Sequence, residues 1–292
     1  MPQPTHPTDA ARPALSPVWL VLGGILSVQF GAAIAKHLFD EIAPTTMVWL
    51  RLTTSTVILG ALARPRLTGR SGADWRVAIA FGITLATMNW AIYQSFARIP
   101  LGLAVTIEFL GPLTVAVLGS RRPSDLVWVA LAGLGVALLG FEPGDVTAAG
   151  VGFALLAGAA WASYILLTVR TGARWPGLDG LAVASAVATL LLTPYAVARG
   201  GEALTDPRLL AMGAAVGLLS SVVPYSLEMI ALRTLKPSVF GILMSLEPAA
   251  AALAGALLLR ELLAPLQLLA IACVVAASIG ATRRSPAPAP LD

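Results

Sequence analysis

Long apolar runs separated by short polar or charged loops set the pattern of this chain. A helix needs about 20 apolar residues to cross a bilayer. Ten runs approach that length: Val18–Phe39, Thr45–Ala63, Trp75–Ala97, Gly102–Ser120, Leu126–Gly140, Gly150–Thr168, Leu178–Ala198, Leu209–Ala231, Val239–Leu259 and Leu263–Thr282. The loops between them are too brief to hold a soluble domain. The pattern therefore predicts an all-α polytopic membrane protein of ten transmembrane helices. Residues 1–17 are polar and Pro-rich without a signal-peptide pattern, and residues 283–292 are rich in Pro and Ala; both stretches are expected to be disordered cytoplasmic tails.

Composition agrees. The chain is 57% hydrophobic and 12% charged, with mean hydropathy +0.83, whereas a soluble domain carries about 25% charged residues. The basic pI of 9.7 does not point to nucleic acid, because arginines in short loops are how a polytopic protein sets its orientation. One side carries 13 cations, in the loops and ends at Arg12, Arg64, Arg66, Arg70, Arg76, Arg121, Arg122, Arg170, Arg174, Arg233, Lys236, Arg283 and Arg284. The other side carries 4, at Arg98, Arg199, Arg208 and Arg260. The positive-inside rule places both termini in the cytoplasm. Lys36 and Arg51 remain inside spans. The lone Cys273 excludes an intrachain disulfide.

Two stretches share a layout. Tyr93–Ala97 leads into the turn Arg98-Ile99-Pro100, then Glu108-Phe109-Leu110-Gly111-Pro112, then Arg121-Arg122. Likewise Pro224–Leu232 leads into a turn at Lys236-Pro237, then Glu247-Pro248, then Arg260-Glu261. Gln29-Phe30-Gly31-Ala32 loosely matches Ala160-Trp161-Ala162-Ser163. The expected halves are residues 18–141 and 142–282, five spans each. An odd number of spans makes the second copy enter from the opposite face, which gives an inverted repeat around a central cavity. Such repeats serve transporters by offering two mirror-related states about a midplane site. The plainer reading is an old duplication without mechanistic meaning.

A charge within a span costs several kcal/mol unless it is paired, hydrated or neutralised. Glu108 and Glu247 are therefore candidate groups for a substrate ammonium or a proton, or else members of structural ion pairs, Glu108 with Arg51 or Lys36. Pro248 marks a helix irregularity beside Glu247, where carbonyls are freed. Glu228 reads better as a salt bridge with Arg233. Arg51 either grips a carboxylate or reaches the outer interface; the structural reading is preferred. Lys36 shares a helical face with Gln29 and suits an outer vestibule. Asn89, Trp90 and Tyr93 in the third span, Trp161 and Tyr164 in the sixth and Tyr225 in the eighth form an aromatic and amide set. They suit an amphipathic pocket for a zwitterion, or ordinary helix packing. Gly213 and Gly217 mark close helix contact. No nucleotide-binding loop, HExxH, Cys/His cluster or catalytic triad spacing is present. The sequence thus calls for no enzyme activity, cofactor or metal.

Ile107–Pro112, Ser120–Pro123, Pro224–Leu232 and Met244–Ala249, set in ten spans with a Glu-Pro in the penultimate helix, resemble the drug/metabolite transporter superfamily, EamA family. The closer likeness is to its bacterial amino-acid exporters, the threonine/homoserine and aromatic branches. The resemblance implies a central cavity lined by spans 1, 3, 4, 6, 8 and 9. It also implies export of amino acids or related metabolites across the inner membrane by alternating access. The expected partners are the substrate, protons as a coupling ion and the bilayer. A phosphorylated-sugar or nucleotide-sugar transporter, needing several cations on the cavity, and a non-transporting scaffold are the alternatives.

Overall fold

The computed structural model describes residues 17–120, 126–139, 146–232, 235 and 237–284. The described residues form helices and no strand. In chain order these are α1 (Pro17–His37), α2 (Pro44–Ala63), α3 (Gly72–Phe96), α4 (Leu101–Glu108), α5 (Leu110–Ser120), α6 (Leu126–Leu139), α7 (Ala148–Gly172), α8 (Asp179–Arg199), α9 (Pro207–Gly217), α10 (Val223–Leu232), α11 (Pro237–Met244), α12 (Glu247–Ala254) and α13 (Pro265–Arg284). The π-helical turns Leu218–Val222 and Gly255–Leu259 continue α9 and α12.

In hydrocarbon each backbone group must be satisfied within the protein, and a helix does this locally. Six helical stretches are long and apolar enough to cross a membrane: α1, α2, α3, α7, α8 and Phe240–Leu259. Leu101–Val115, Leu126–Leu138, Pro207–Val222 and Pro265–Gly280 are shorter apolar stretches. The chain is thus a multi-pass membrane protein. Its ends are capped where the chain meets polar surroundings. Ser71 and Asp74 form a capping box at α3, Thr147 Oγ1 accepts from the Gly150 amide at 3.1 Å, and Arg64 closes α2 in the left-handed region at φ 48°.

Three expected spans are jointed rather than straight. An α-helical carbonyl bonds the N–H four residues on, and proline has none. α4 ends at Glu108, four residues before Pro112, and α11 ends at Met244, four before Pro248. Ser220, four before Pro224, sits in the π turn Leu218–Val222. Proline alone does not decide this, since Pro194 lies inside an unbroken α8.

α3 packs on α7 and α8, α2 on α8 and α9, α1 on α10 and α12, α4 on α7 and α12, α5 on α7, and α6 on α13. Small residues allow the closest approaches. A Cβ on Gly102 would stand 2.9 Å from the Ala252 Cβ, and one on Gly158 would stand 2.7 Å from the Glu108 carbonyl oxygen. The expected Gly213 and Gly217 contact is present: they face Leu50 and Thr54 of α2. Outward, side chains such as Val57, Leu118, Leu190 and Val197 are largely exposed, as a lipid-facing surface requires.

Candidate functional site

A narrow cleft of about 80 Å³ opens between α2, α8 and the turn Leu218–Val222. At one end it is walled by Leu62 and Leu178, beside the loops that carry Arg64, Arg66, Arg70 and Arg174. Through Ser55, Leu59, Leu181 and Ser221 it continues inward to a constriction at Arg51, Asn89 and Ser185. Its course differs from the cavity that the resemblance implied, because it follows spans 2, 3, 7 and 8. α4 approaches α7 closely at Gly158–Glu108 and α12 closely at Gly102–Ala252.

Arg51 organises the inner end. It lies seven residues along α2, about 10 Å from that helix's start at 1.5 Å per residue. Its Nη2 donates to the Ser220 carbonyl at 2.9 Å, Nε to Ser221 Oγ at 3.3 Å and Nη1 to the Tyr93 hydroxyl at 3.5 Å. The Ser220 carbonyl is open to it because Pro224 offers no N–H four residues on. The guanidinium also stands 5.7 Å from the centre of the Tyr93 ring. All these partners are neutral. Among the described residues no carboxylate pairs with Arg51 within 4 Å. Ser55, 4% exposed, keeps an unpartnered Oγ on the cleft, and the Ser220 hydroxyl is also unpartnered. Asn89, 3% exposed, donates Nδ2 to the Leu85 carbonyl at 2.9 Å.

Of the expected site residues, the structure thus brings Asn89 and Tyr93 together at Arg51. Tyr93 is fully buried and also packs against Phe39 and Phe96, with ring centres 6.0 and 5.5 Å away. Trp90 lies apart, giving Nε1 to Thr45 Oγ1 at 3.1 Å and packing edge-on to Phe153. Glu108 and Trp161 share a second neighbourhood, where Trp161 meets Phe109 edge-on at 5.5 Å. Glu108 is buried and makes no ion pair within 4 Å among the described residues. Tyr164 stacks on Phe81 at 4.8 Å. Glu247 is buried at the first turn of α12, at the irregularity expected before Pro248. Gln29 is 2% exposed with an unpartnered Oε1. The side chains of Tyr225 and Glu228, and residues Arg233 and Lys236, lie outside the described residues.

Lys36 does not pair with Glu108. Its Nζ meets Glu261 Oε1 at 2.6 Å and donates to the Ile99 carbonyl at 2.7 Å, while Glu261 Oε2 accepts from the Leu101 amide at 2.7 Å. This latch ties α1, the α3–α4 turn and the loop before α13 at the end of the bundle opposite the cleft mouth. At the mouth end Arg70 pairs with Asp179 at 3.5 Å and lies 4.3 Å over the Trp175 ring, and Arg174 pairs with Asp74 at 3.0 Å. Among the described residues no three of His, Cys, Asp and Glu gather as metal ligands would.

The structure adds Arg51, Ser55, Ser185, Ser220 and Ser221 to the residues gathered at the cleft. The usable signal was an arginine within an apolar run and a proline four residues after a serine.

The EamA-like transporter family model matches residues 148–283. The chain is 44% identical over 275 residues to the threonine/homoserine exporter RhtA of Escherichia coli strain K12, covering 91% of this chain and 92% of that protein. It is 43% identical over 282 residues to RhtA of Salmonella typhimurium strain SL1344, covering 92% and 95%. A crystal structure of a protein only 16% identical superposes with TM-score 0.63 over 91% of this chain and 97% of that one, which supports the fold alone. Identity at this level along nearly the whole length, on a bundle of apolar helices, places the chain in the EamA-like transporter family.

Proposed function

We propose that this protein is a secondary transporter that exports amino acids of the threonine/homoserine class, and related metabolites, from the cytoplasm across the bacterial inner membrane. The observation that carries the reading is the near full-length identity to threonine/homoserine exporters. The chemistry at the inner end of the cleft agrees with it: Arg51, Asn89 and serine hydroxyls are groups that bind the charged ends of a small zwitterion, although the constriction there, about 10 Å³, must widen to admit one. Gln29, Glu108 and Glu247 are the buried polar groups for an ammonium or a coupling proton, and Tyr93 is the aromatic contact beside Arg51. Arg51 is the one cation on the cleft among the described residues, since Lys36 is paired with Glu261. That is too few for a phosphorylated sugar.

The mechanism proposed is alternating access between two inverted halves, residues 18–141 and 142–282, of five spans each. The contact pattern supports it. If span n corresponds to span n+5, then α3 on α7 has its counterpart in α10 on α1, and α3 on α8 in α9 on α2. The pairs α2 on α8 and α6 on α13 are their own counterparts. The count of 13 loop and terminal cations on one side against 4 on the other supports cytoplasmic termini, which puts the cleft mouth on the cytoplasmic side.

The test is flux in proteoliposomes with labelled threonine and phenylalanine, with and without a pH gradient. Saturable threonine flux is expected, and gradient dependence identifies a proton as the coupling ion. Absence of saturable flux for either amino acid refutes the reading.

A further inference from the structure

We infer that Arg51, flanked by Ser55, is the anchor for the carboxylate of the transported amino acid. The inference rests on the exporter reading and adds the group that binds the substrate's acid end. Among the described residues every hydrogen bond of this guanidinium goes to a neutral group and no carboxylate lies within 4 Å of it, so inside an apolar bundle it is open to an anionic partner. Its planar fork suits two carboxylate oxygens, and Arg51 forms the inner wall of the cleft. Its present bonds to Ser221 Oγ and the Tyr93 hydroxyl are long, at 3.3 and 3.5 Å, so an incoming anion displaces little. The bond to the Ser220 carbonyl, at 2.9 Å, holds the fork in place. Ser55 supplies the second observation: its hydroxyl is 4% exposed, has no partner and lines both sections of the cleft. It stands one helical turn from Arg51 on the same face of α2, ready to donate to the same anion.

The Lys36–Glu261 pair is not a rival anchor. Its charges neutralise each other at 2.6 Å and its remaining bonds go to backbone.

The experiment is competition against labelled threonine in proteoliposomes by unlabelled threonine and by threoninol, which keeps the ammonium and side chain but lacks the carboxylate. Wild-type protein is expected to prefer threonine by about 10- to 100-fold, the range of a charged hydrogen-bonded pair. Arg51→Gln is expected to bind both weakly and alike. A second measurement does not depend on that variant folding. In a Cys273→Ser background, Ser55→Cys is labelled by a maleimide, and threonine, not threoninol, is expected to protect it. Wild-type protein that moves no threonine overturns the exporter reading and this site with it. Wild-type flux with full discrimination in Arg51→Gln, or equal protection of Ser55→Cys by both ligands, overturns the anchor alone.

Discussion

Gly111→Ala tests the joint between α4 and α5. A Cβ on Gly111 would run into the carbonyl oxygen of Gly158, with the Gly158 carbonyl carbon at 2.8 Å and its Cα at 3.1 Å. All three atoms are backbone, so no side chain can swing away; α5 and α7 must separate. Gly158→Ala is milder. Its Cβ would stand 2.7 Å from the Glu108 oxygen, about 0.7 Å inside ordinary contact at 3.4 Å. Overpacking costs about 1–3 kcal/mol, while replacing glycine by alanine in a helix returns about 1 kcal/mol. The net expectation is about 2 kcal/mol lost for Gly111→Ala and about 1 kcal/mol for Gly158→Ala. Gly152, also on α7, has nothing within 4 Å of an added Cβ, so Gly152→Ala is expected to hold stability or raise it slightly. Thermal unfolding of purified protein in detergent reads the series. At about 2–4 °C per kcal/mol for chains of this size, Gly111→Ala melts about 4–8 °C low. Equal melting of Gly111→Ala and Gly152→Ala would refute the claim that backbone contact holds this joint.

Two further outcomes follow from the same geometry. Glu261→Gln leaves Lys36 without its counter-charge; because both side chains are nearly one-fifth exposed (18% and 17%), the expected loss is about 1–3 kcal/mol rather than the larger figure for a fully buried pair. A double-mutant cycle with Lys36→Met checks it, since strict additivity would mean the pair has no coupling. Pro224→Ala restores an N–H to the Ser220 carbonyl, which then competes with Arg51 Nη2; threonine flux is expected to fall about tenfold or more while the melting temperature holds, and unchanged flux would separate the π turn from transport.

Much of the bundle was legible because apolar length and loop charge are local properties of the chain. The Glu247-Pro248 irregularity was legible for the same reason: a missing N–H acts four residues away. The equivalent break at Glu108 falls inside the single expected span Gly102–Ser120, with Pro112 at the same distance from the helix end as Pro248 is from Met244. Tertiary pairings were not legible. Arg51 meets Ser221 and Ser220 across separations of 170 and 169 residues, and Lys36 meets Glu261, a residue marked in the sequence only as part of the Arg260-Glu261 pair, from the far end of the chain. Serines in apolar helices usually bond their own preceding turn, as Ser163 and Ser245 do here, so Ser55 carried no signal until its neighbours were in place. The aromatic pattern leaves a pocket and ordinary helix packing both open; in the structure Tyr93 joins Arg51, while Trp90, Trp161 and Tyr164 pack against Phe153, Phe109 and Phe81.

The joints have a consequence for how occupancy and movement are linked. α1, α2, α3, α7 and α8 run unbroken, whereas the stretches containing Pro112, Pro224 and Pro248 are each divided. Bending a divided span moves half a helix and leaves the contacts of the other half intact. At the latch end, α4 and α12 are packed through Gly102 and Ala252, and Glu261 fastens the start of α4 to Lys36. Those elements therefore move as one piece or not at all. Arg51 crosses from an unbroken helix to a divided one, since it stands on α2 and holds the freed Ser220 carbonyl. On the proposed reading, the substrate carboxylate draws on the same guanidinium. Binding then draws Nε away from Ser221 Oγ while Nη2 keeps the Ser220 carbonyl, so a filled site holds α2 to the turn Leu218–Val222 by one bond instead of two. An empty site keeps both. That asymmetry favours movement with cargo over movement without it, and Pro224 is what makes the carbonyl available for it.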